Sequence, residues 1–401
     1  MKCRVCESNA LECVLELGDQ PWCNNFLTKN QIGKEPFYPL NLLYCKSCNL
    51  SQLDYTVKKE IMFGDHTYLS GITTALSNHF KKVAYDVFRN NFSKNRYVNV
   101  LDIGSNDGTQ LKHYKDLGCK ILGVESSKYI SKIANRNGIR TINKFFNEKV
   151  VGEINSKFDI INASGVFFHL EELDSVCKGI KKALKDNGIF VVQFLYMKNI
   201  IENLAFDQIY HEHLIYYTLE TIQNLLSKYQ LTMYDGYLSE IHGGSIIGYV
   251  SHNNRRKITQ RLTELNNLEN ESGVNNLSTY KAFAKNVEKL KYENVEYLYG
   301  KKAANKKIYG FGAPVKGNTL LNYFNIDSDI IELLVEKNKL RKNLYSPGMH
   351  IPIALEDELK DYPDIYYVLA WNFKNEILKN NSKLIERGIE FKFPINPKLS
   401  A

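Results

Sequence analysis

Val100-Leu-Asp-Ile-Gly-Ser-Asn-Asp-Gly-Thr109 decides how the rest of the chain is read. The apolar run Val98 to Ile103 ends in a glycine-spaced acidic loop, and a helical pattern begins at Gln110. Strand, tight turn and helix in that order place a small polar ligand at the carboxyl end of a parallel strand. A phosphate-binding turn needs bare backbone N–H groups and no negative charge. Asp102 and Asp107 would repel a pyrophosphate, but they suit a cationic ligand that brings hydroxyl and amine donors. S-adenosylmethionine (SAM), with its sulfonium, amino group and ribose, is such a ligand. A second apolar run, Lys120 to Val124, ends about twenty residues on in Glu125, where a carboxylate can accept both ribose hydroxyls. The expected cofactor-binding residues are therefore Asp102, Gly104, Asn106, Asp107, Gly108 and Glu125. The competing NAD-type reading lacks the third glycine of G-x-G-x-x-G.

With 401 residues the chain exceeds one ordinary core, so two or three domains are expected. A hydrophobic fraction of 44% and an aromatic fraction of 12% are those of a globular protein. The net charge of +8 is mild at this size and favours an anionic substrate through steering. It is not the clustered basic face of a nucleic-acid binder, and Arg255-Arg256-Lys257 reads as solvated. No stretch reads as a signal peptide or membrane span; runs such as Gly188 to Leu195 are strand-sized. The expected compartment is the cytoplasm, where eight cysteines do not form structural disulfides.

Four of those cysteines form two knuckles, Cys3-Arg-Val-Cys6 and Cys45-Lys-Ser-Cys48. Each offers two thiolates on one tight turn, the spacing of a tetrahedral zinc site. Four thiolates leave no position for water, so the expected metal is structural. Cys13 and Cys23 are alternatives without the paired spacing.

The first 70 residues read as the clip and short extended segments. A helix over Thr73 to Arg89 carries Leu76, Phe80, Val83, Ala84, Val87 and Phe88 on one side. Strands at 98–103, 120–125, near Arg140, 158–164 and 188–195 alternate with helices at 109–117, 127–137 and 171–185, a doubly wound α/β pattern. Asn187-Gly188 is read as the turn that stops the last of these helices. Thr218 can cap a further helix, residues 240–251 look like a hairpin, and 255–303 is helical and charge-rich. A second α/β unit begins at Lys307-Ile-Tyr-Gly-Phe-Gly312, with strands at 330–336, 365–370 and 389–393 and a helix at 373–387. Its loop, Ala313-Pro-Val-Lys316-Gly-Asn318, puts a lysine and small residues at a helix start, which favours an anion such as a pyrophosphate. A solvated Lys316 at a tight turn is the plain alternative.

Between the two units lies Asp207-Gln-Ile-Tyr210-His211-Glu212-His213-Leu-Ile-Tyr216-Tyr217. A catalytic metal here would need a third ligand at suitable spacing, and H-E-H is not H-E-x-x-H. Proton transfer is the better reading, because neutral histidine is the usual base near pH 7 and a neighbouring carboxylate can hold it in the useful tautomer. Tyr210 and His213 are expected on one side of a turn, with His211 pointing away. His169, in Gly165-Val-Phe-Phe-His169, follows a strand at the ligand-binding edge of the sheet.

These parts in this order resemble the SAM-dependent, zinc-containing sugar C-methyltransferases that act on nucleotide-linked 4-keto deoxysugars. The resemblance runs from the cysteine knuckles and Gly18-Asp-Gln-Pro21…Asn25-Phe26 through Leu101 to Gly108 and Val166 to His169. It continues with Tyr210-His-Glu-His213, His242-Gly-Gly-Ser245, Tyr309-Gly-Phe-Gly-Ala-Pro-Val-Lys-Gly-Asn318 and Ser346-Pro-Gly-Met-His-Ile-Pro352. It implies an α/β enzyme of three parts: a zinc-binding domain (1–70), a Rossmann-like SAM domain (71–252), and a helical connector with a Rossmann-like α/β domain closing over the sugar nucleotide (253–401). It implies a base at His213, with Glu212 and Tyr210 beside it, and His169 and Tyr68 near the sugar. The full set of substrate-binding candidates is Tyr68, Tyr217, His242, Gly244, Ser245, Lys316 and Asn318. The expected reaction is enolate formation at C-3 beside a C-4 ketone. His213 takes the proton, Glu212 orients its ring and stabilises its charge, and Tyr210 or His169 hydrogen-bonds the enolate oxygen. No nucleic acid or membrane partner is expected. The rival readings are a zinc-ribbon binding protein with an inert methyltransferase fold and a nucleotide-sugar oxidoreductase using NAD.

Overall fold

Leu40, Leu42 and Tyr44 alternate with more exposed neighbours, and that period of two builds a strand rather than the short extended pieces expected. A computed structural model describes residues 1–64, 69–72, 74–94 and 97–396, and for Ile72 and His242 the backbone alone. In it β1 (Leu11–Pro21) pairs antiparallel with β2 (Phe37–Cys45), and β2 pairs with β3 (Ser51–Leu53).

The central sheet contains β4 (Asn99–Ile103), β5 (Lys120–Glu125), β6 (Thr141–Asn143), β7 (Phe158–Ser164) and β8 (Leu184–Leu195), all parallel. A two-residue strand, β9 (Ile215–Tyr216), leaves this domain and joins the N-terminal sheet beside β3. The hairpin β10 (Leu231–Ser239) and β11 (Ser245–His252) completes the central sheet, in the order β10-β11-β8-β7-β4-β5-β6, with β11 antiparallel to β8. Strand order reverses between β4 and β7, the crevice where open α/β sheets bind ligands. The helix Thr74–Asn91 buries Leu76, Phe80, Val83, Ala84 and Val87, the face its spacing predicts. Asn187-Gly188 does not stop the preceding helix, which ends at Ala183. The chain is extended from Leu184, and the pair falls in a bulge where the register steps from Phe158↔Leu184 to Ile160↔Ile189.

The connector is two helices, Gln260–Ser272 and Leu277–Ala303, because Gly273 takes a left-handed conformation (φ 65) between them. Buried Glu269 on the first accepts the backbone N–H of Leu219 and Glu220, fixing the connector to the start of the helix that Thr218 caps. The last sheet is fully parallel: β12 (Ile308–Phe311), β13 (Leu334–Glu336), β14 (Ile353–Leu355), β15 (Ile365–Val368) and β16 (Glu390–Lys392), ordered β14-β13-β12-β15-β16. The strand expected at 330–336 is only its last three residues, and the helix expected at 373–387 is two, Lys374–Asn380 and Ser382–Glu386, broken at Asn381. No helix among the described residues is long and apolar enough to cross a membrane.

Candidate functional site

The four knuckle cysteines converge. Cys3 and Cys48 sulfurs are 3.6 Å apart, Cys6 and Cys45 sulfurs 3.5 Å, and all four lie within 4.8 Å of one another. Tetrahedral thiolates at a zinc–sulfur distance of ~2.3 Å stand roughly 3.8 Å apart, so the donor set fits structural zinc. Glu7 and Asn49, each next after the second cysteine of its knuckle, share φ 62, so both knuckles close in the same way. Cys13 and Cys23 lie outside the cluster.

At the crevice, Glu125 at the end of β5 is buried and accepts the N–H of Asn106 (3.0 Å) and of Ser127 (2.8 Å). Asp107 accepts from Thr109 through one oxygen and from the N–H of Gly71 (2.8 Å) through the other. The Asn106 side-chain oxygen accepts from Ser70 N–H, so segment 69–72 lies against the loop. Gly104 (φ 66) permits contact with Val166, whose Cγ2 would stand 2.5 Å from an added Cβ. Gly108 (φ 83) likewise abuts Ile139. Asp102 differs from the expectation of a charged loop residue: it is buried on β4, and burial and nearby Glu125 push its carboxyl well above the carboxylate range. The negative lining comes instead from Asp107 and Glu125. These loop residues can hold SAM.

Tyr210 to Glu212 form a turn that delivers His213 to the same edge, His213 N–H bonding the Tyr210 carbonyl at 2.8 Å. The His213 ring is buried, with its Nδ1 2.8 Å from the Gln208 carbonyl. A carbonyl only accepts, so Nδ1 carries the proton and the basic lone pair is on Nε2. The Tyr210 ring lies 3.9 Å away between centroids, and the His169 ring 5.1 Å. His169 follows β7 and bonds through its own Nδ1 to the Glu212 carbonyl at 2.5 Å, which puts its lone pair on Nε2 as well. His211 turns away to the carbonyls of Tyr38 and Pro39, as expected. The expected role of Glu212 needs correction: the Gln208 carbonyl orients the His213 ring through Nδ1. The Glu212 carboxylate receives the Trp22 indole N–H (2.7 Å) and the Asn24 amide (3.2 Å). Burial and the Glu212 charge push the Tyr210 hydroxyl well above its ordinary range, which keeps it a donor.

From the C-terminal side, Lys316 is the second residue of the helix Val315–Phe324, and its side chain is mostly covered rather than solvated. Its ammonium is 3.6 Å from the centroid of the Trp371 ring and 3.8 Å from Asp207, and burial pushes it down to about 8. Asn318 is buried, and its amide donates to the Cys23 carbonyl (2.7 Å), tying this helix to the N-terminal domain. Its Oδ1 is buried and accepts no hydrogen bond among the described residues. Tyr217 is also corrected: it is fully buried among Phe167 and Phe194, with its hydroxyl on the Phe167 carbonyl. Ser245 is buried with its hydroxyl on the Ile241 carbonyl, a structural use. An added Cβ at Gly244 (φ 118) would stand 2.0 Å from the Asn199 amide. Tyr68 and the His242 side chain lie outside the described residues. Sequence reasoning missed Trp22, Asn24, Gln208 and Trp371 as partners of the cluster. The Trp22 and Asn24 signal was adjacency to Gly18-Asp-Gln-Pro21, and that of Gln208 its place in the cluster segment, though its backbone carbonyl leaves no side-chain trace; Trp371 carries no local signal.

Three family models cover the chain in succession: "Putative zinc binding domain" over residues 3–63, "Methyltransferase domain" over 69–235 and "C-methyltransferase C-terminal domain" over 240–396. The C-methyltransferase NovU of Streptomyces niveus is 28% identical over 404 residues, spanning 98% of this chain and 95% of that protein. Among solved structures, magnesium protoporphyrin IX methyltransferase from Synechocystis with bound SAH has a TM-score of 0.37 at 10% identity, over 47% of this chain and 90% of its own. An S-adenosylmethionine-dependent methyltransferase from Clostridium acetobutylicum has a TM-score of 0.36 at 15% identity, over 44% of this chain and 92% of its own.

Proposed function

We propose that this chain, a SAM-dependent C-methyltransferase with a structural zinc clip, methylates C-3 of a nucleotide-diphosphate 4-keto deoxysugar. The observation that carries this reading is His213: a buried imidazole with its Nδ1 proton on the Gln208 carbonyl and the tilted Tyr210 ring against it, at the edge that also holds the Glu125 loop. A C-4 ketone acidifies the C-3 hydrogen by delocalising charge onto oxygen. His213 Nε2 takes that proton, and the Gln208 carbonyl stabilises the imidazolium that forms. Tyr210 donates to the developing enolate oxygen. It is preferred to His169, whose Nδ1–H is already on the Glu212 carbonyl. Gly104, Asn106, Asp107, Gly108 and Glu125, with buried Asp102 near the end of β4, would hold SAM, which when bound would supply the electrophilic methyl group. Lys316 attracts the diphosphate. A reducing compartment such as the cytoplasm keeps the four thiols available for metal.

The test is incubation with SAM and thymidine-, guanosine- and cytidine-diphosphate 4-keto sugars, read by mass. One sugar nucleotide gaining a single CH2 unit, located at C-3 by NMR, is the expected result. No gain on any of them, or calorimetric binding of NAD in place of SAM, would overturn the reading.

A further inference from the structure

The chain has two tryptophans, and each donates its indole N–H to a carboxylate on the segment that carries His213. Trp22 reaches Glu212 from the N-terminal domain, and Trp371 reaches Asp207 Oδ2 at 2.6 Å from the C-terminal domain. Asp207 is fully buried, with the Lys316 ammonium 3.8 Å from the same oxygen. Its neighbour Phe206 packs against Tyr323 and Phe324, with ring centroids 5.3 and 5.4 Å apart. The turn at 241–243 closes in as well, since a Cβ on Gly243 would stand 3.1 Å from Gln208 Nε2 and 3.6 Å from Trp371. The C-terminal domain thus grips residues 206–208, and the carbonyl at the end of that turn receives the His213 Nδ1–H.

Burying a carboxylate with an ammonium gains little stability over an apolar pair of the same volume. Hydrogen-bond partners one step removed from a reacting imidazole, by contrast, fix its tautomer and orientation. We propose that Asp207 is a positioning residue: tied to Trp371 and Lys316, it fixes the 206–208 turn so that the Gln208 carbonyl keeps the His213 proton on Nδ1 and the lone pair on Nε2. The kinetic side of this rests on His213 being the base; the structural side does not.

Histidine labelled with nitrogen-15 reports the tautomer of each imidazole through its ring-nitrogen shifts, and His213→Gln assigns the signal. The wild type gives the Nδ1–H form. Asp207→Asn still accepts from Trp371 but no longer faces Lys316 with charge, and Asp207→Ala does neither. The two give increasing fractions of the Nε2–H form, with thermal melts confirming that both are folded. Trp371→Phe keeps a ring over Lys316 without the N–H and follows Asp207→Asn. An unchanged Nδ1–H signal in all three overturns the proposal, whatever the substrate proves to be. In turnover assays Asp207→Asn and Asp207→Ala lose about tenfold and about a hundredfold in kcat, with KM for SAM unchanged. The acid limb of kcat/KM moves about 0.5 unit to lower pH, because a less supported imidazolium deprotonates more readily. A kcat loss with an unmoved limb would mark Asp207 as merely structural and also overturns the assignment. If no keto sugar is methylated but the tautomer responds as stated, the proposed function fails and the positioning role stands.

Discussion

Two turns in this molecule share one construction. β4 runs into Gly104 (φ 66), and Glu125 at the end of neighbouring β5 accepts the loop N–H of Asn106. β12 runs into Gly312 (φ 81), and Glu336 at the end of neighbouring β13 accepts the loop N–H of Ala313 at 3.1 Å. The carboxylates occupy matching positions, but Arg341 places its guanidinium 3.1 Å from Glu336 and also bonds the Ala313 carbonyl. A carboxylate committed to a guanidinium is a poor acceptor for a ribose diol. Lys316 is then the second residue of the following helix, where Gln110 stands in the first unit. Strand order places a ligand edge in both halves; under the proposed function the side chains at the turn select an adenosyl cation in one and an anion in the other.

The strongest test reaches past both turns to the proposed base. His213→Ala should lower turnover by roughly 10²–10⁴-fold. Calorimetry should show SAM affinity unchanged, since the imidazole belongs to neither loop, and turnover near wild type would remove it as the base. Next in size, Glu125→Gln should weaken SAM by about 10–100-fold, the scale of lost charge-assisted hydrogen bonds.

That first turn was legible because its signals are local: an apolar run, a glycine and a helix in ten residues, like the two cysteines within each knuckle. The surroundings of His213 were not. Trp22 and Glu212 are 190 residues apart and Trp371 and Asp207 are 164, so no periodicity links them. Tyr217 was read by proximity to the cluster, but its ring packs inward where the chain leaves β9. Strands β13 and β14, three residues each, are too short to show a pattern.

A smaller effect separates the second turn. Lys316→Met should raise KM for the sugar nucleotide about tenfold and leave SAM affinity alone. Burial holds this ammonium down to about 8, so it is charged below that pH and neutral above. The wild-type KM should therefore climb as pH rises through about 8, while Lys316→Arg keeps its charge and a flat profile. A flat wild-type profile would place the anion elsewhere.

The smallest effect on ligands, and the sharpest on the comparison, is Glu336→Gln. SAM affinity should stay within about twofold, since this carboxylate serves its own loop and Arg341. The cost should appear in stability instead: Arg341 is largely buried, and weakening its partner forfeits about 1–3 kcal/mol, a fall of several degrees in Tm. Should Glu336→Gln instead weaken SAM as much as Glu125→Gln does, the two turns would share one ligand, and Arg341 would be a removable gate rather than a seal.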